Sequence, residues 1–200
     1  MATIGLSKPY YAIYEWDRSA EAEPTYKEGG LLGKYTDLSI SLDKASNNIL
    51  YADNGPTESD NQFSGGTASI TTDDLSPEAL TPVWGVKSEA MPEGTTVTKD
   101  ALWYVFDDDQ NVPYLGLGGV IKKKIGGAYK WVAFVLTKVQ LSNPGIVATT
   151  QGETISWQTQ SLSAKIMRAD DAKHRWFMIS SAMDTEADAE SAVKAYLKIA

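Results

Sequence analysis

The chain has 200 residues, a formal charge of −8 and no cysteine, with 42% apolar and 10% aromatic residues. That length suits one domain able to bury a substantial core without staples, and the composition is globular rather than disordered. Disulfides and thiolate metal sites are excluded. The acidic balance argues against a protein that grips nucleic acid through clustered Lys and Arg.

The opening Met1–Trp16 has neither the basic start nor the apolar run of a signal peptide. No segment reaches the roughly 18 consecutive apolar residues of a membrane span. Asp37–Asp43 alternates without fault: Leu38, Ile40 and Leu42 share one face, while Asp37, Ser39, Ser41 and Asp43 share the other. Asn47–Asn48 offers a turn, and Ile49–Ala52 reads as a second strand. The polar stretch Asp53–Gln62, with Gly55 and Pro56, is predicted as a long exposed loop. Alternation resumes over Thr67–Asp73, with Ala68 and Ile70 opposite Thr67, Ser69, Thr71 and Asp73. Ser76-Pro77-Glu78 predicts a helix start, kept short by Pro82 and closed by Gly85.

Further strands are predicted at Ala101–Asp107, Tyr114–Lys123, Tyr129–Leu141, Glu153–Met167 and Arg175–Ser180. Gly126-Gly127 marks a hairpin turn between the second and third of these. Asp184–Ile199 carries Ala189, Ala192, Val193, Tyr196 and Leu197 at helical spacing, and Thr185 with Asp188 forms a weak capping box. One domain over residues 1–200 is expected, in a mainly β, β-rich α+β class.

Catalytic signals are sparse. His174 is the only histidine and sits in a polar turn, and no GxSxG elbow is present. Gly29–Tyr35 fails as a phosphate loop, because the spacing puts Glu28 where glycine is needed and Tyr35 where Ser or Thr is needed. Gly116-Leu117-Gly118-Gly119 lacks the last glycine of a dinucleotide fingerprint, so close packing or a bulge is the simpler role. Asp107–Asp109 fails as a calcium loop, with Val112 and Gly118 at the diagnostic positions, and reads as a turn. Lys122-Lys123-Lys124 reads as a solvated strand edge that discourages edge pairing. Trp103, Trp131, Trp157 and Trp176 are assigned to strands and to packing. No enzyme activity, cofactor or metal is expected.

Several segments in order resemble the major tail tube proteins of long, non-contractile-tailed bacteriophages. They are Gly5–Ala12, Ile49–Asn54, the polar loop with Gly65–Ile70, the short helix ending at Gly85, Trp131–Leu141, Gly152–Thr159 and Arg175–Phe177. The resemblance implies two antiparallel sheets packed as a sandwich-like barrel with a flanking helix and a C-terminal helix. It implies hexameric rings of a homo-oligomer, stacked into a hollow tube that conducts DNA without specific binding. Tape measure, tail terminator and distal tail proteins would be partners, the location would be the virion after synthesis in the host bacterial cytoplasm, and no membrane would be involved.

On this resemblance the polar faces give Asp37, Ser39, Ser41, Asp43, Thr67, Ser69, Thr71 and Asp73 as lumen-lining residues. Acidic and hydroxyl side chains would not hold phosphates. An inter-ring loop at about 53–65 gives Tyr51, Asp53, Asn54, Gly55, Glu58, Asp60 and Phe63 as the ring-stacking set. A tube protein of a contractile injection or secretion system and a carbohydrate-binding β-sandwich are the alternatives.

Overall fold

The computed structural model describes residues 2–18, 23–44, 48–52, 55–60, 63–92, 94, 101–150 and 158–200, with the backbone alone for 44, 48–52 and 55–60. In chain order the elements are β1 (Ala2–Glu15), β2 (Thr25–Leu31), β3 (Tyr35–Lys44), β4 (Asn48–Ala52), β5 (Gly55–Asp60), β6 (Phe63–Thr72) and α1 (Pro77–Trp84). Then follow β7 (Lys87–Ala90), β8 (Leu102–Val105), β9 (Leu115–Ile125), β10 (Ala128–Leu141), β11 (Gln160–Met167), β12 (Phe177–Ile179) and α2 (Glu186–Leu197).

The fold is mainly β, with one antiparallel sheet of eight strands and a C-terminal helix. The strand order is β2-β1-β9-β10-β11-β6-β3, with β12 also pairing β10; β4-β5 and β7-β8 are separate two-stranded sheets. The resemblance implies two sheets, whereas these strands form one continuous sheet that curls over itself. Tyr35 of β3 shows the curl. Its hydroxyl donates to the Gly118 carbonyl of β9 at 3.3 Å, and its ring lies 6.4 Å from Phe134 of β10, although three strands separate β3 from β9 in the sheet order.

Inside the curl lies one buried cluster, with Tyr11, Leu32, Ile70, Trp84, Leu117, Leu136, Leu162 and Ile166 among its members. A second cluster lies between the sheet and α2, with Tyr10, Ala12, Tyr14, Val120, Val135, Val193 and Leu197. The second half of β1, from Pro9 to Tyr14, is therefore covered on both faces, by the interior of the curl and by α2. Burying these side chains supplies roughly 1.5–3 kcal/mol each relative to exposure.

α2 seats closely because the strands beneath it carry small residues. In β9, a Cβ on Gly116 would sit 2.5 Å from the Tyr26 ring, and one on Gly118 would sit 2.5 Å from Val193 Cγ1. The helix starts at Thr185, whose side chain accepts the Asp188 N–H at 3.1 Å. It is tied to β1 by Tyr10 Oη donating to Glu190 at 2.5 Å, by Lys8 paired with Glu190 at 3.1 Å, and by Ser7 Oγ donating to Glu186 at 2.6 Å.

α1 closes at Gly85 in the left-handed conformation, as its sequence predicts, but Ser76 makes no side-chain cap bond and Pro82 lies inside the helix. Pro82 would meet its helical acceptor in the first turn of a helix only eight residues long, so the missing N–H removes a single bond. Gly126 and Gly127, with φ of 58° and 86°, make the two-residue β9–β10 turn.

The strand predicted over Ala101–Asp107 narrows to β8, and Glu153–Met167 narrows to β11, with 151–157 outside the described residues. Arg175 and Trp176 fall outside β12. The Arg175 backbone serves a turn instead: its N–H donates to Asp171 Oδ1 at 2.9 Å, and its carbonyl accepts from Ala169 N–H at 2.9 Å and Thr137 Oγ1 at 2.6 Å. Among the described residues no helix is long and apolar enough to cross a membrane.

Candidate functional site

Pairing of β3 with β6 and of β6 with β11 turns three alternating strands into one polar surface. The rows are Asp37–Thr71–Ser161, Ser39–Ser69–Ser163 and Ser41–Thr67–Lys165, extended by Asp43 opposite Gly65. All of these side chains are exposed except Thr71, which is half-buried. The reverse side of the same strands holds Ala68, Ile70, Leu162, Ala164 and Ile166, all buried in the curl. Strand geometry makes the surface about 10 Å wide and about 20 Å long.

Seven of the nine side chains in the three rows are hydroxyls; the other two are the Asp37 carboxylate and the Lys165 ammonium. Short neutral hydroxyls hold water and leave a smooth wall. The two carboxylates, Asp37 and Asp43, outnumber the single ammonium, so the surface gives phosphates no net attraction. Ser161, Ser163 and Lys165 are absent from the sequence-predicted set. The alternation Ser161-Leu162-Ser163-Ala164-Lys165-Ile166 carries their signal, but only the pairing of β11 with β6 shows that they continue the same face.

Asp73 departs from the predicted set. It follows the end of β6, where its Oδ1 accepts the Lys34 N–H at 2.8 Å and the Asp74 N–H at 2.9 Å, and its Oδ2 lies 3.5 Å from Lys34 Nζ. Desolvation pushes its carboxyl pKa up, but the two backbone hydrogen bonds and the Lys34 ammonium outweigh it and hold the pKa below the usual value. Asp73 is exposed like the rest of the face, but its carboxylate fixes the turn.

The stretch predicted as a loop is largely strand. Gly55–Asp60 forms β5, pairing Gly55 with Ala52, Pro56 with Tyr51, Glu58 with Leu50 and Asp60 with Asn48. The ribbon is a sheet of its own, and in a two-stranded ribbon both strands are edges, where proline is tolerated. Lacking the apolar alternation of a half-buried strand, it reads as loop from sequence. Asp53 and Asn54 lie outside the described residues. Phe63 anchors the base of the ribbon: its ring stacks on Trp176 with centroids 4.3 Å apart and planes 5° apart, and its carbonyl accepts from Arg168.

β3 ends the sheet, so its far side has no strand partner among the described residues. It is ten residues long without a proline, which leaves a row of backbone donors and acceptors open to another chain. β2 is the opposite end of the sheet. The other predicted features fall elsewhere. His174 is exposed in the turn after β11, with a φ of 50° and Nδ1 3.2 Å from the Ala169 carbonyl oxygen. Trp84 is fully buried, Trp131 and Trp176 are half-buried, Trp103 is exposed on β8, and Trp157 lies outside the described residues. Compared with models of known protein families and with curated proteins, the chain matches none.

Proposed function

We propose that this chain is a structural subunit of a bacteriophage tail tube of the long, non-contractile kind, without a catalytic role. Copies close into rings, six to a ring as the resemblance implies, and rings stack into a hollow tube through which DNA passes. The observation that supports this most is the uncovered hydroxyl-rich surface of β3, β6 and β11, backed by an apolar core and bordered by the open edge of β3. A wall of this kind wets the DNA backbone without releasing its counterions, so transit meets little friction. Open sheet ends suit head-to-tail closure, in which each copy offers one edge to the next.

The β4–β5 ribbon supports stacking, since it stands apart from the main sheet and leaves from one end of it. Tape measure, terminator and distal tail proteins are the partners this reading carries, and the virion is its location. Negative-stain electron microscopy of the concentrated protein tests it. Hollow striated filaments or rings are expected, and replacing residues 48–60 by a short Gly-Ser turn leaves the fold intact but stops filaments at single rings. A wild-type chain that stays monomeric at every concentration, even with its tail-assembly partners, would overturn it.

A further inference from the structure

The lysine run of β9 does not guard a sheet edge. β9 is paired on both sides, with Lys124 opposite Ala2 in β1 and Tyr129 in β10, and Lys123 opposite Thr3 and Lys130. The physical reason read from sequence therefore fails, and the cluster carries an electrostatic cost instead, since Lys123 and Lys130 face each other directly. Lys130 is paired with Asp184. Lys122, Lys123 and Lys124 make no ion pair among the described residues. The Lys122 ammonium lies 4.6 Å from the Tyr129 ring and 5.5 Å from Trp131, and Lys124 lies 5.9 Å from Tyr129. Aromatic faces thus hold two of the cations beside the Gly126-Gly127 tip, without neutralising them. In a protein of net charge −8, this tip is a concentrated positive spot.

The opposite end of the molecule is acidic. Gln110 donates to the Asn143 side chain at 2.9 Å and to the Trp84 carbonyl at 2.8 Å, which fixes the Asp107–Asp109 turn just beyond the end of β10. The fourteen residues of β10 separate this turn from the lysine tip by about 40 Å. Asp107 is paired with Lys87 at 3.1 Å, while Asp108 and Asp109 are exposed and make no ion pair among the described residues.

The direction of the strands brings the tip and the β4–β5 ribbon to the same end. β6 is antiparallel to β11, which is antiparallel to β10, so β6 and β10 run the same way. Phe63, at the foot of the ribbon, and Ala128, at the foot of the tip, both begin those strands.

We propose that the occupant of the lysine tip is a second copy of this chain, with Lys123 and Lys124 of one copy meeting Asp108 and Asp109 at the acidic end of the next. The inference rests on the tube reading and names the axial contact of that tube: the ribbon gives reach, and the charges give polarity. Tip meeting tip, or turn meeting turn, sets like charges together, so copies stack in one direction only.

The test uses the full chain in three forms: Lys123→Glu with Lys124→Glu, Asp108→Lys with Asp109→Lys, and all four together. Each pair should raise the protein concentration needed for filaments about tenfold or more, as should raising salt from 0.05 M to 0.5 M for the wild type. The fourfold charge exchange should restore assembly, and thermal unfolding should show all three variants folded. Wild-type filaments indifferent to either pair, or no recovery in the fourfold variant, would overturn this contact while leaving the tube standing. Binding of a DNA duplex by the wild type, lost with the tip lysines while filaments persist, would assign the tip to a polyanion and overturn it as well. A wild type without filaments under any condition would overturn both.

Discussion

Gly118→Ala tests whether glycine in β9 exists to admit α2. Gly118 stands between Tyr10 of β1 and Val135 of β10, on the face that α2 covers. An added Cβ would lie 2.5 Å from Val193 Cγ1, 3.2 Å from the Phe134 carbonyl oxygen and 3.4 Å from Leu197 Cδ1. Carbon atoms rest about 3.5–4.0 Å apart, so the helix must lift by about 1 Å or Val193 must repack. Overpacking of this kind costs about 1–3 kcal/mol, offset by about 0.5–1 kcal/mol from the smaller chain entropy of alanine. Taken at mid-range the net loss is about 1 kcal/mol, a fall in Tm of about 2–4 °C for a chain of this length.

Val193→Ala alone leaves a cavity under α2 and costs about 2 kcal/mol. Combined with Gly118→Ala, the new methyl occupies the vacated space, so the double variant should be more stable than the sum of the two by at least about 1 kcal/mol. Urea unfolding of the four proteins measures the cycle. Additivity within about 0.5 kcal/mol, or an unchanged Gly118→Ala, would refute the packing argument.

The Tyr10–Glu190 pair gives two pH limbs. Glu190 has its pKa lowered by the Tyr10 hydrogen bond, against desolvation and with help from Lys8, so it stabilises the fold above the unfolded carboxyl pKa of about 4.3 and loses that effect as pH falls through the lower folded value. The Tyr10 phenol is raised to about 12, by burial first and then by Glu190, so its contribution is intact below about pH 10 and lost as pH rises through about 12. Glu190→Gln should flatten the acid limb and Tyr10→Phe the alkaline one, both read by urea unfolding against pH. Asp171→Asn should cost about 1–3 kcal/mol at neutral pH by removing the buried carboxylate that holds Arg175, which keeps only its exposed pairing with Glu23. It should also remove an acid-labile contribution, because Arg175 hydrogen bonds and charge outweigh burial and keep the Asp171 pKa low. Asp37→Lys with Asp43→Lys should change stability by less than about 0.5 kcal/mol per site, since both are exposed, while tubes assemble and DNA ejection slows; ejection at the wild-type rate would count against a non-basic bore.

The elements legible in the sequence are those with one wet face. β3 and β6 alternate because one side meets the core and the other meets solvent, and α2 announces itself by its stripe and its Thr185 cap. β1 escapes notice because both faces of its second half are covered: Tyr10, Ala12 and Tyr14 lie under α2 while Tyr11 enters the curl, so no polar residue alternates with them. β2 is hidden by Gly29 and Gly30, although Gly29 is required there. A Cβ on it would come 2.4 Å from Ile199 beyond the end of α2. Two of the three strands of the polar face were legible strand by strand. Its continuation through Ser161, Ser163 and Lys165 depends on which strands pair, and neighbours in the sheet lie nearly a hundred residues apart in the chain. Asp73 shows the reverse limit, a residue in step with its strand whose oxygen is committed to the Lys34 and Asp74 amides.

Because the chain has no cysteine, Ser69→Cys places a single thiol at the centre of the β3–β6–β11 surface. A heavy-atom cluster attached to it before assembly and imaged in the filaments should appear as density along the filament axis. Density on the outer wall, or labelled protein that packs into solid fibres with no bore, would contradict the assignment of that surface to the lumen.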